Sequence, residues 1–112
     1  MMDYNKGDIC LVDFNPAKGG EMGKLRPAIV MSNALQIALL DTVIVIPLST
    51  VIQKESLPYR FFIPAREKLY QDSDACIYEI RALSKQRVKE KLTQLQEQEL
   101  ATVQTSLCKL LS

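Results

Sequence analysis

Histidine and tryptophan are both missing from this 112-residue chain. Without an imidazole, no Ser-His-Asp or Cys-His nucleophile system can operate. Any acid–base or electrostatic chemistry must then use Arg, Lys, Tyr, carboxylate or hydroxyl groups. Cysteine is scarce: Cys10, Cys76 and Cys108 are odd in number, far apart and outside any CxxC pair. That pattern, with no histidine, argues against a metal site, and we expect no metal or other cofactor. The apolar neighbours of each cysteine predict three small buried hydrophobes. No stretch approaches the roughly 18 apolar residues of a membrane span. The opening Met-Met-Asp-Tyr-Asn-Lys lacks the apolar region of a secretion signal, which predicts a cytoplasmic address and no membrane partner. A surplus of charge is also lacking. At a net +1, bulk electrostatics does not identify a nucleic-acid binder, so such a partner would need a local patch.

What is present suits one compact unit. Hydrophobic residues make up 47% of the chain, enough for a core without staples, and a single domain over 1–112 is expected. β-branched and aromatic runs place strands at 8–14, 27–32, 42–50, 59–63, 76–82 and about 86–92. Pro47 cannot donate to a ladder, so the third strand should meet an edge or a bulge there. Residues 33–41 suit a short helical turn or a covering loop, and 65–74 suit a helical turn. Along 76–82 strict alternation sets Cys76, Tyr78, Ile80 and Ala82 on one face, with Ile77, Glu79 and Arg81 on the other. At the C-terminus Leu100, Val103, Leu107, Leu110 and Leu111 trace the stripe of an amphipathic helix, with Glu97 and Glu99 in its first turn. Several short strands and one closing helix make a mainly β, small barrel-like fold.

Three features carry chemistry. The first is a loop containing Gly19, Gly20 and Gly23 that leads to Arg26-Pro27 at the start of a strand. A guanidinium is permanently charged and forks onto phosphate, so an arginine fixed beside a pliable loop suits an anionic substrate; it is also an ordinary arrangement for a structural hairpin. The second is Ser49-Thr50, whose hydroxyls can bond phosphoryl oxygens or simply close a turn. The third is the run Lys85, Arg87, Lys89, Lys91, a one-sided basic stripe if 85–91 is a strand. It fits an edge defended against aggregation better than a track for a phosphate backbone.

Taken together, GDICLVDFNP, Gly19-x-Glu21, Arg26-Pro27-Ala28-Ile29-Val30, Ile46-Pro47-Leu48-Ser49-Thr50, Asp72-Ser73 and 79–87 (EIRALSKQR) resemble the MazF/PemK/Kid toxins of bacterial toxin–antitoxin pairs. The match runs in order along nearly the whole chain. The resemblance implies an SH3-like, partly open barrel with a C-terminal helix, acting as a homodimer. It implies a metal-independent endoribonuclease that cuts single-stranded RNA at short sequences, through attack of the substrate's own 2′-hydroxyl, to a 2′,3′-cyclic phosphate and a 5′-hydroxyl. It also implies a cognate antitoxin protein, with operator DNA reached only through that antitoxin. Carried over by motif, Arg26 and Ser49 are the catalytic pair, with Thr50 the second choice of hydroxyl. Glu21, Lys24, Glu79, Arg81, Lys85 and Arg87 are expected to bind RNA.

The chain departs from the family at several points. Gly20 and Met22 replace polar loop residues, Ser49 stands where a threonine is usual, and Tyr78-Glu79 replaces an acid–glutamine pair. Those departures leave a catalytically degenerate, antitoxin-binding module open as an alternative. A gyrase poison of the CcdB type shares the fold, but its C-terminal tryptophan is absent here.

Overall fold

The computed structural model describes residues 3–14, 24–53 and 57–112. The loop glycines and Glu21 lie outside them. Seven strands form one antiparallel, strongly bent sheet: β1 (Asp8–Asp13), β2 (Leu25–Val30), β3 (Thr42–Ser49), β4 (Arg60–Ile63), β5 (Ser73–Cys76), β6 (Arg81–Ser84) and β7 (Val88–Gln94). The order across it is β4-β5-β3-β2-β1-β7, with β6 also paired to β3.

β3 is the hinge of this arrangement. Its apolar run Val43-Ile44-Val45-Ile46 lies along β2 on one side. On the other side its first half pairs β6, from Thr42–Ser84 to Val45–Arg81, and its end pairs β5 at Leu48–Ala75 and Ser49–Asp74. Pro47 falls in the gap where one partner hands over to the next. Backbone groups along a strand alternate in direction, and Ile44 exchanges with the β2 side through Met31 and Ser32. The missing N–H of Pro47 therefore points into that gap. Proline is tolerated in a buried central strand here because no ladder bond is due at that place.

The two sides of the sheet have separate cores. Ile9, Ile29, Met31, Ile46, Leu48, Ile63, Ala75 and Ile77 form one, sealed by helix α2 (Glu97–Leu110) through Val103, Leu100, Leu107 and Leu110. A capping box between Gln96 and Glu99 starts that helix. Cys10, Val12, Ala28, Val30, Val43, Val45 and Val88 form the other, edged by Phe14, Leu83 and Ile37. Ile37 belongs to the short helix α1 (Ala34–Leu39), opened by a reciprocal Asn33–Gln36 capping box.

Several sequence expectations need correction. The strand expected over 76–82 is two strands, β5 and β6, separated by a 3-10 turn at Ile77–Glu79. The chain must leave the end of β3 and rejoin its beginning, and the turn makes that move. Alternation is thereby broken, so Ile77 is fully buried while Tyr78 is exposed. The helical turn expected over 65–74 is instead a tight bend closed by an Arg66–Leu69 bridge, after which Ser73 and Asp74 enter β5. The last strand begins at Val88, after a 3-10 turn at Lys85–Arg87. As expected it is an edge strand, paired to β1 alone. Leu111 lies beyond the helix and is exposed, and Cys108, unlike Cys10 and Cys76, is exposed too.

Candidate functional site

Register places the key side chains. In the β1–β2 pair Val12 lies opposite Arg26, and Cys10 opposite Ala28. In the β2–β3 pair Ala28 lies opposite Pro47. Continuing that ladder by two residues sets Arg26 across from Ser49. Ser49 in turn pairs Asp74, and Cys76 pairs Arg60. Opposed residues in an antiparallel sheet share a face. Phe14, Arg26, Ser49, Asp74, Cys76, Arg60 and Phe62 therefore all belong to the face of the Val12–Ala28–Val45 core, away from α2. The apolar part of that face is filled, and its end is polar.

Arg26 is half-buried, and among the described residues it makes no ion pair. Arg26 also acts on the Cys76 thiol. Burial pushes that thiol up; Arg60 pulls it down, Glu79 pushes it up and Arg26 pulls it down. Arg26 and Glu79 thus both lie within electrostatic reach of one buried sulfur. Glu79 itself is exposed at the end of the 3-10 turn.

Arg81, at the head of β6, stacks its guanidinium over the Phe14 ring, 4.5 Å from the centroid. Arg87 Nη1 donates to the Asp13 carbonyl at 3.2 Å, and Lys24 is exposed with its carbonyl accepting from Phe14 N–H. Lys24, Arg26, Arg81 and Arg87 therefore gather where β1 ends and β2 begins. Lys85 does not join them. Its Nζ donates to the Ile37 carbonyl at 2.7 Å, some 13 Å down β6 from Arg81 by strand rise. Nor do the odd-numbered basics form a stripe. Lys91 pairs Asp8 at 3.5 Å, and Lys85 and Arg87 sit in a turn. Glu21 lies outside the described residues.

The two hydroxyls separate. Ser49 is half-buried on the Arg26 face, and its Oγ accepts from Val51 N–H at 3.1 Å. Thr50 has the opposite parity. It lines a cavity of about 540 Å³ with Leu11, Pro27, Leu69 and Leu92, on the other side of the sheet.

Sequence reasoning missed a buried ion pair beside Ser49. Arg60 and Asp74 are 9% and 1% exposed, and Nη1 meets Oδ2 at 3.1 Å. Burial pulls the Arg60 pKa down, but Cys76, Tyr78 and Asp74 outweigh it and the net direction is up. A charged residue inside the run Tyr59-Arg60-Phe61-Phe62-Ile63 was the available signal. Exposed Phe62 and Tyr78 offer aromatic surface beside this pair.

The fold and this face define a class: small β-rich proteins that present fixed guanidiniums, a hydroxyl and aromatic rings to an anionic chain, with no imidazole available. A family model described as PemK-like, MazF-like toxin of type II toxin–antitoxin system matches residues 5–111, and the chain belongs to that family. It is 36% identical over 103 residues to Endoribonuclease MazF of Staphylococcus epidermidis, covering 91% of this chain and 86% of that one. Its structure matches the Deinococcus radiodurans MazE–MazF crystal structure (Form-II) with a TM-score of 0.78, at 26% identity and 97% coverage of both chains. The toxin MazF-mt6 of Mycobacterium tuberculosis shares the fold at 15% identity, with a TM-score of 0.75 over 91% of this chain and 93% of that one.

Proposed function

We propose that this protein is an endoribonuclease toxin that cuts single-stranded RNA, with Arg26 as the electrostatic catalyst and Ser49 as the partner hydroxyl. The observation that carries this reading is the β2–β3 register, whose Ala28–Pro47 pair, continued by two residues, puts Arg26 and Ser49 on one face of the sheet.

The substrate brings its own nucleophile. O2′ attacks the adjacent phosphorus, the P–O5′ bond breaks, the 2′-hydroxyl proton leaves to solvent and the departing O5′ takes up a proton. Cyclic 2′,3′-phosphate and 5′-hydroxyl ends result. The phosphorane is more negative than the ground state, so a fixed guanidinium stabilises it preferentially. The Ser49 Oγ accepts from Val51 N–H, so its own proton remains available to a phosphoryl oxygen. Lys24, Arg81 and Arg87 supply a local cationic patch on a chain of near-neutral net charge, and Phe62 and Tyr78 offer rings for unstacked bases.

Such an enzyme acts in the cytoplasm, where mRNA is met, and is held in check by an antitoxin protein. It works as a pair of identical chains, a reading supported by the exposed Leu35, Leu39, Leu40 and Ile44. The whole chain 1–112 is taken as one toxin domain.

The test is primer extension on a long RNA incubated with the protein in EDTA. Discrete cuts are expected, and Arg26→Ala should lower their rate by about 10²–10³ with the fold intact. Undiminished cutting by that variant removes the site assignment. A well-folded, antitoxin-free protein that binds its antitoxin but makes no cuts would point instead to a degenerate module.

A further inference from the structure

We infer that Arg60 and Asp74 are positioning residues that set the Ser49 hydroxyl through the backbone of Val51. The inference rests on the reading of Ser49 given above. Arg60 Nη1 donates both to Asp74 Oδ2, at 3.1 Å, and to the Val51 carbonyl, at 2.9 Å. The same Asp74 oxygen accepts from Gln53 N–H at 2.8 Å. Val51 N–H, on the next peptide back, donates to Ser49 Oγ at 3.1 Å.

Both peptide groups of Val51 are therefore fixed, one by the guanidinium and one by the serine hydroxyl. Gln53 is anchored to the same carboxylate, so the chain leaving β3 is tied down at three successive points. A serine lacks the β-methyl that narrows χ1 choice in threonine. Here a hydrogen bond from a backbone that is itself clamped supplies that restraint. The pair has a further sign of being arranged around this turn. Arg60 Nη2 is spent on Cys76 Sγ at 3.3 Å, while Nε is buried with no partner among the described residues. The guanidinium is oriented to reach Val51 even though one donor goes unsatisfied. Burying a charge pair is a weak source of stability compared with apolar packing, so its presence calls for another role.

A double-mutant cycle on RNA cleavage tests this, with kcat and KM measured separately. R60M is combined with D74N, so that no buried charge is left unpaired and Gln53 keeps an acceptor. In the wild-type background the combination is expected to lower kcat by about tenfold with KM within about twofold, because a misplaced hydroxyl costs transition-state and not ground-state binding. In a Ser49→Ala background the same combination should change kcat by less than about twofold. D74N alone, which leaves the guanidinium in place, should show a smaller loss that also vanishes without the serine hydroxyl. It keeps the test available if the combined variant does not fold by circular dichroism. Equal losses in both backgrounds, or no loss of kcat in the first, would overturn the positioning role and leave the Ser49 reading standing. Full activity of Ser49→Ala alone would overturn the Ser49 reading and this inference with it.

Discussion

Ser49 and Thr50 are neighbours in the chain and carry the same functional group, yet the sheet sends them to opposite sides. Ser49 follows Val43, Val45 and Pro47 onto the Arg26 face, while Thr50 lines the cavity behind it with Pro27 and Leu11. Replacing each by alanine should therefore separate them. Ser49→Ala is expected to lower kcat/KM on RNA by about 10², and Thr50→Ala to change it by less than about threefold. Competitive cleavage of one labelled RNA by the two variants measures this, and a larger effect at Thr50 would reverse the assignment. At this scale the chain was legible where local pattern sets a position: Arg26 does stand at the start of a strand, and Ser49 does end β3. It was not legible where the partner is distant. The Arg60–Asp74 pair joins residues on two different strands, and nothing near either one announces the other. Tyr78 was grouped on one face with buried Cys76 because its parity was counted through a turn that resets it.

Elements built from strong local preference were readable. The β-branched run gave β3 its place, and the leucine and valine spacing gave α2 its buried stripe up to Leu110. The break between β5 and β6 was not readable, because it answers to β3 changing partners and not to a local signal at Ile77–Glu79. Two junctions show how elements are held together. Gly7, ahead of β1, has φ +92°, and a Cβ there would meet Leu100 Cδ2 of α2 at 3.1 Å. Its N–H bonds the Val30 carbonyl and its carbonyl accepts from Leu95 N–H, so the backbone cannot relax without breaking both. Gly7→Ala should destabilise the fold by about 1–2 kcal/mol, read from urea unfolding. The second junction is Arg66 with Glu99, Nη2 to Oε2 at 2.7 Å, which ties the bend after β4 to the first turn of α2. The hydrogen bond from Arg66 holds the Glu99 carboxyl below its ordinary value of 4.5, against partial burial and with help from Gln96 N–H. A lowered folded-state pKa means that the unfolded chain binds the proton more readily. The contribution is therefore complete above about pH 4.5 and is lost as the pH falls through the folded-state value. The Tm gap between wild type and Glu99→Gln should be steady from about pH 8 to about pH 5 and close on further acidification. A gap that widens in acid would contradict the pairing.

Across the whole molecule, charge is nearly balanced, and five ion pairs among the described residues take up several of the cations. Among the described residues outside those pairs, Lys24, Arg26 and Arg81 gather at one end of the sheet, with Arg87 held against Asp13. An RNA-cutting protein of this kind should therefore bind weakly through bulk electrostatics and depend only shallowly on salt. If three cations neutralise phosphates of a single strand, the logarithm of the association constant should fall against the logarithm of salt concentration with a slope of about −2. The measurement is made with an oligonucleotide carrying a 2′-deoxy sugar at the cut site, which removes the nucleophile and leaves binding intact. Arg81→Ala should make the slope shallower by about 0.7. Lys85→Ala should leave it unchanged, because that ammonium is committed to the Ile37 carbonyl at the far end of β6. A slope several times steeper, or one that Lys85→Ala alters as much as Arg81→Ala does, would mean that RNA runs along β6 and the start of β7 instead of across the face where Arg26 and Ser49 meet.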